Sequence, residues 1–151
     1  MAFSNLISAV IFLVSLPPLH LSITSAQFLM RYEEKMEKAA KYSNEADRQL
    51  YKTRTTQGAA VIACITSTVS AACLMFLSSR ASTGAALAVV NVAACLGARI
   101  YVSNFWKGAA RVPFANSYND ASRDTDKTIV WLGGLAGTWA GYACYRALLR
   151  A

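Results

Sequence analysis

The chain has 151 residues, 55% of them hydrophobic and only 15% charged, with a net charge of +7. A soluble domain averages about 25% charged residues, so this composition argues against a solvated globule. The basic residues gather where apolar stretches end, which leaves no separate patch for nucleic acid.

The first uncharged stretch runs from Met1 to Met30. Thr24-Ser25-Ala26 suits a signal-peptide cleavage point, but no Lys or Arg precedes the apolar core and Pro17-Pro18 interrupts it. A retained helix over about 5–30, kinked at the prolines, is the preferred reading; a cleaved leader is the alternative. His20 is the single histidine, so bis-histidine haem ligation is excluded and no haem is expected.

Residues 31–57 are rich in helix formers and mixed charge. Glu34–Lys38 and Glu37–Lys41 are i,i+4 pairs of the favoured polarity. This segment reads as a helix leaving the membrane, a break near Ser43-Asn44, and a second helical piece leading into the next span. Most of its charges read as a solvated connector.

Helix two, about 57–77, is dense in small residues. Ala59, Ala63, Ser67 and Ala71 share one face, with Ala60, Cys64, Thr68 and Ala72 beside it. Small residues four apart allow close helix approach in lipid. The short turn at Ser78–Ser82 makes helices two and three an antiparallel hairpin. Helix three, about 83–105, carries Asn91 and Arg99 in an otherwise apolar run.

The third connection, WKGAARVPFANSYNDASRDTDK, mixes Gly, Pro, Asn and Asp as turns do. Its aromatics Phe114 and Tyr118 are candidates to cover a site. Helix four, about 128–149, begins near Asp126 or Thr128 with acidic residues at its N-terminal end. Gly133, Gly137 and Gly141 form a doubled GxxxG, an oligomer or intrachain contact face. Trp106, Trp131, Tyr142 and Tyr145 near helix ends read as interfacial belts. Cys64, Cys73, Cys95 and Cys144 fall in apolar segments without CxxC spacing, so they read as small packing residues and no metal site is expected.

Four charge-free stretches of about 18 residues or more imply four transmembrane helices. The fold class is therefore an all-α integral membrane four-helix bundle, one domain over residues 1–151. Arg31, Lys35, Lys38, Lys41, Arg48, Lys52 and Arg54 lie in the first connection; Lys107, Arg111, Arg123 and Lys127 lie in the third. The positive-inside rule places both connections in the cytosol and both termini in the lumen or outside. The bilayer is the expected partner, in the endoplasmic reticulum or another organelle membrane.

Arg99 has two readings. Its stem snorkels to the headgroups, or its guanidinium binds an anion and lowers the pKa of a nearby thiol. The stretch Gly97-Ala98-Arg99-Ile100-Tyr101 resembles the Ala-Arg-Ile-Tyr motif on helix three of the membrane-associated eicosanoid and glutathione metabolism family, which includes the microsomal glutathione transferases. The tail Tyr145–Arg150, the start Met1–Ser4 and Glu37–Tyr42 also look similar to that family. The start of helix two, Arg54–Val61, lacks the family's Asn and Glu. The resemblance implies a homotrimeric glutathione transferase, isomerase or peroxidase acting on lipophilic substrates. It implies Arg99 as the residue stabilising the thiolate, with Tyr101 beside it. Arg48 and Arg54 would hold glutathione carboxylates, and Asn104 joins them as a candidate cofactor-binding residue. Two other readings remain open: a non-catalytic subunit of a larger membrane assembly, such as an organellar respiratory complex, and a cofactor-free four-helix membrane oxygenase.

Overall fold

The computed structural model describes residues 2–40, 44–76, 81–107 and 116–148. Among these residues every regular element is a helix: α1 (Ala2–Ala40), α2 (Asn44–Phe76), α3 (Ala81–Trp106) and α4 (Asn116–Leu148). Three stretches are long and apolar enough to cross a membrane: Asn5–Arg31 in α1, Tyr51–Phe76 in α2 and Thr83–Trp106 in α3. The uncharged part of α4 is diluted by Gly133, Gly134, Gly137, Gly141, Trp131 and Trp139, and α4 is not one of the three.

Cross-contacts give the topology. Glu33 meets Arg54 and Ser15 meets Thr68, so α1 and α2 are antiparallel. Trp106 stacks on Tyr118 while Gly84 sits against Arg146, so α3 and α4 are antiparallel as well. Gln57 bonds Thr125 and Ser67 bonds Trp139, so α2 and α4 run parallel. The result is an up-down-up-down bundle. The α1–α2 and α3–α4 connections emerge at one end, opposite the two termini. Helices α2 and α3 share the sparsest of the four neighbouring contacts.

Each helix turns a seven-residue repeat inward. On α1 the buried positions are Ser8, Ile11, Ser15, Pro18, Ser22, Ser25 and Leu29. On α3 they are Gly84, Ala88, Asn91, Cys95, Ala98 and Val102. Spacings of three and four are those of helices that wind around one another. The seam is built from Ser, Ala, Gly and Cys, which lets backbones approach closely. Ile11, Leu29, Leu74, Leu132 and Leu135 are buried, but many large aliphatics point the other way: Leu6, Leu13, Ile62, Val89 and Ile100 are exposed. This inside-out distribution suits a surrounding of lipid, where there is no hydrophobic gain in hiding Leu and Ile.

The helices outrun the sequence-based bounds. Helix α1 continues unbroken through Pro17 and Pro18 to Ala40, and α2 begins at Asn44; Ser43 of the expected break lies outside the described residues. The larger difference is in α4, which begins at Asn116 and not near Asp126. Its inward stripe explains this: Ala121, Thr125 and Thr128 are buried in register with Leu132, Leu135, Trp139 and Tyr142. The charges of residues 120–127 occupy the outer face and concealed that stripe from a count of charges. The expected Phe114 lies outside the described residues; Tyr118 is on α4, 5.7 Å from the Trp106 ring.

Two further expectations are revised. Cys64 and Cys95 are buried packing residues, but Cys73 and Cys144 are exposed. Trp131 faces outward as an interfacial residue should, whereas Trp106 and Tyr142 are buried between helices.

Candidate functional site

A concavity lies between α1 and α2, where both helices leave their apolar stretches. Its volume is about 510 Å³, within the usual range of ligand pockets. Leu29 and Met30 of α1 and Val61 and Ile62 of α2 form apolar walls, and Gly58 opens the floor. At the connection end the walls become polar. Arg54 Nε donates to Glu33 Oε2 at 2.9 Å; the Glu33 side chain is 12% exposed and that of Arg54 is 51% exposed. Thr53 and Gln57 complete this rim.

Gln57 ties the groove to the interior. Its Nε2 donates to Thr125 Oγ1 at 2.7 Å; Ser25 Oγ lies 2.9 Å from the same oxygen and bonds the Ala121 carbonyl. These three buried side chains join α1, α2 and α4. Shared hydrogen bonds between helices hold polar groups that lipid could not satisfy.

Arg99 sits in the shallow groove between α3 and α4. Its side chain is exposed and makes no hydrogen bond or ion pair with a described residue. Gly133 of α4 leaves room for the guanidinium: a Cβ there would lie 3.0 Å from Nη1 and 3.1 Å from Cζ. A comparable arrangement occurs nearer the termini, where Gly84 faces the Arg146 guanidinium and the Tyr142 hydroxyl. Arg146 lies over the Tyr142 ring, 5.3 Å from its centre, and donates from Nε to the hydroxyl.

The other candidates fall elsewhere. Tyr101 points to the α2 side, with its hydroxyl 3.0 Å from Thr55 Oγ1. Arg54 belongs to the α1–α2 groove. Arg48 and Asn104 are exposed. Arg99, Tyr101 and Arg54 thus occupy three different helix–helix boundaries of one chain. Residues 99 and 101 are about 200° apart on a helix, so one chain does not converge them on a common ligand. Among the described residues no three His, Cys, Asp or Glu side chains converge on a point.

Sequence reasoning missed the groove. Arg54 was expected at the site, but Glu33 and Gln57 were not. The available signal was Glu33 just past an uncharged stretch, facing Arg54 across an antiparallel hairpin. Compared with known proteins, the chain matches no family model, no curated protein and no solved structure.

Proposed function

We propose that the chain is a four-span integral membrane protein that binds a lipophilic or thiolate anion at Arg99. The exposed aliphatics around a seam of small residues support insertion. The fourth span is supported by α4 packing against both α1 and α3. All eight acidic residues and most of the basic ones lie in the two connections at one end, which supports a cytosolic location for that end.

The observation that carries the anion reading is Arg99 itself. It is an exposed cation, seven residues inside the end of a candidate span, with no acidic partner among the described residues and with Gly133 beneath it. Such a charge is costly in lipid unless it reaches an anion or the headgroups. The resemblance around Arg99 names glutathione as the anion and a transferase or isomerase as the activity. In this reading a homotrimer sets the α1–α2 face of one copy against the α3–α4 face of the next, which unites Arg54 with Arg99.

The test is glutathione binding to the detergent-solubilised protein, followed by ultraviolet difference absorption for a thiolate. Expected is a thiolate band in the native protein that disappears in Arg99→Ala. Binding without a band, or a band unchanged in the variant, overturns the reading.

A second reading, a non-catalytic subunit of a membrane assembly, has its own support. Gly134, Gly137 and Gly141 have no neighbour within 4 Å of where a Cβ would be, and exposed Cys144 continues their stripe. Under this reading unrelated chains copurify and cover that face. Mild oxidation that yields a Cys144-linked dimer, with no other chain present, overturns it.

A further inference from the structure

We propose that a groove between α2 and α3 is a binding site for a sterol, a rigid planar lipid carrying one hydroxyl. The proposal rests on the chain lying in a membrane. It is independent of Arg99, which lies at the α3–α4 boundary, and it uses a face that the trimer contacts leave open.

Three observations carry it. First, the groove is smooth and lies at lipid depth. Its volume is about 310 Å³. Small side chains form its floor: Ala59 and Ala63 of α2, and Ala94, Gly97 and Ala98 of α3. Ile62, Thr66 and Tyr101 complete the lining, and all of these residues lie within the spans Tyr51–Phe76 and Thr83–Trp106. The Thr66 hydroxyl is spent on the Ile62 carbonyl at 2.8 Å, so the floor offers a ligand no polar group. Residues 59 to 66 and 94 to 101 set a length of about 10 Å at the helical rise. An acyl chain crossing its leaflet, roughly 15 Å, overruns that length. A flexible chain also loses freedom when it is held in a fixed groove, whereas a fused ring system has little to lose.

Second, the groove ends on one hydroxyl. Tyr101 is five residues inside the Trp106 end of its span, and Thr55 is four residues inside the Tyr51 end of the other. Thr55 Oγ1 donates its single proton to the Lys52 carbonyl at 3.0 Å. The 3.0 Å bond between Thr55 and Tyr101 therefore runs from the phenol to the threonine, and the Tyr101 oxygen keeps its capacity to accept. A sterol with its rings on the Ala and Gly floor brings its hydroxyl to this end of the membrane, as a donor to Tyr101. Third, Leu96, Tyr101 and Lys107 have the L-x4-Y-x5-K spacing, one form of a short pattern associated with sterol contact. By itself that pattern is weak, and Leu96 is not among the groove residues. Its tyrosine is the residue that closes the groove, and its lysine is exposed just beyond the span.

Gly97 supplies the test. Nothing lies within 4 Å of a Cβ built there, so Gly97→Phe projects a ring into the groove. The protein, Gly97→Phe and Tyr101→Phe are each reconstituted into phosphatidylcholine vesicles. Each preparation holds either cholesterol bearing a ring diazirine or phosphatidylcholine bearing the diazirine on an acyl chain. Crosslinked residues are mapped by mass spectrometry, without competitor and with excess cholesterol or its 3α epimer. Flotation with the vesicles, measured first, reports insertion separately, so a native protein that fails to insert sinks the membrane reading and is distinguishable from a failure here.

Expected is labelling of residues 59–66 and 94–101 by the cholesterol probe. Cholesterol displaces it about fivefold better than the 3α epimer does, the factor for one hydrogen bond of ordinary strength. Gly97→Phe removes this labelling. Tyr101→Phe keeps it but loses the preference between epimers, which a general loosening of the helices does not produce. Where Gly97→Phe fails to insert, the epimer preference of Tyr101→Phe decides. Labelling spread evenly over the outer faces of all four helices overturns the proposal, as does labelling undiminished in Gly97→Phe or an epimer preference that survives Tyr101→Phe. An acyl probe that labels the groove and is not displaced by cholesterol overturns it in favour of an ordinary lipid chain. A groove that neither probe labels overturns it in favour of a second copy covering that face.

Discussion

Trp139 has one side-chain hydrogen to donate, and it goes to Ser67 Oγ at 2.6 Å in a fully buried seam. That bond decides what two unremarkable residues contribute. Removing the hydroxyl leaves an indole N–H buried without a partner, which costs about 1–3 kcal/mol. Ser67→Ala is therefore expected to lower stability by about that amount in denaturant titrations in micelles. In a Trp139→Phe background the same substitution is expected to cost close to nothing, because the donor is gone; an undiminished cost there shows that Ser67 acts through something else. A similar contrast separates the glycines. Gly97 has open space above it, so Gly97→Ala is expected to be neutral or to stabilise by about 0.5–1 kcal/mol. At Gly133 the new methyl lies 3.0 Å from the Arg99 guanidinium. Gly133→Ala is expected to be less stable than Gly97→Ala in the same titration, and to displace Arg99 from its groove. Both glycines look alike in the sequence; only the neighbour across the α3–α4 boundary distinguishes them.

At the scale of the helix, α1 shows how the seam works. Ser8, Ser15 and Ser22 recur every seven residues and all are buried. Ser15 and Ser22 also bond their own helix, to the Phe12 and Leu19 carbonyls, so their hydroxyls are satisfied without a partner helix. Their role is then chiefly to be small. Ser15→Ala is expected to change stability by less than about 1 kcal/mol, since it preserves the close approach of α1 and α2 while losing the bond from Thr68. Ser15→Leu overpacks the seam and is expected to cost about 1–3 kcal/mol or more. A leucine tolerated as well as alanine is the outcome that contradicts a size-limited seam. The serine repeat was available in the sequence as a seven-residue spacing, but alternating small and large residues on several faces obscured it. In α4 the obstacle differed: Asp120, Arg123, Asp124, Asp126 and Lys127 made residues 116–127 resemble a loop. The buried Ala121, Thr125 and Thr128 made them helix, because that stripe has Ser25 and Gln57 to pack against.

For the whole molecule the open question is what crosses the membrane. The proposed four spans would put Arg48 and Lys107 on one side of the membrane and both termini on the other. Single cysteines at Arg48, Lys107, Phe3 and Leu148 in a cysteine-free background report this through an impermeant thiol reagent applied to sealed membranes. Expected is protection of Phe3→Cys and Leu148→Cys together, and labelling of the other two together, when the cytosolic face is exposed. Leu148→Cys labelling with Lys107→Cys is the result that removes the fourth span. Charge distribution alone determined much of this architecture. Uncharged stretches mark helices because burying a charge in lipid is costly whatever its neighbours, and the gathering of charge at the connections follows from the same cost. What the sequence left undecided is angular. A helix bearing small residues on several sides has no unique inward face, so its rotation is set by the three helices around it. The tertiary structure therefore decided that Gly133 faces Arg99 while Gly137 and Gly141 face outward. It also decided that Arg99, Tyr101 and Arg54 diverge, and that Glu33, Arg54 and Gln57 meet around an apolar groove, since each depends on contacts between helices far apart in the chain.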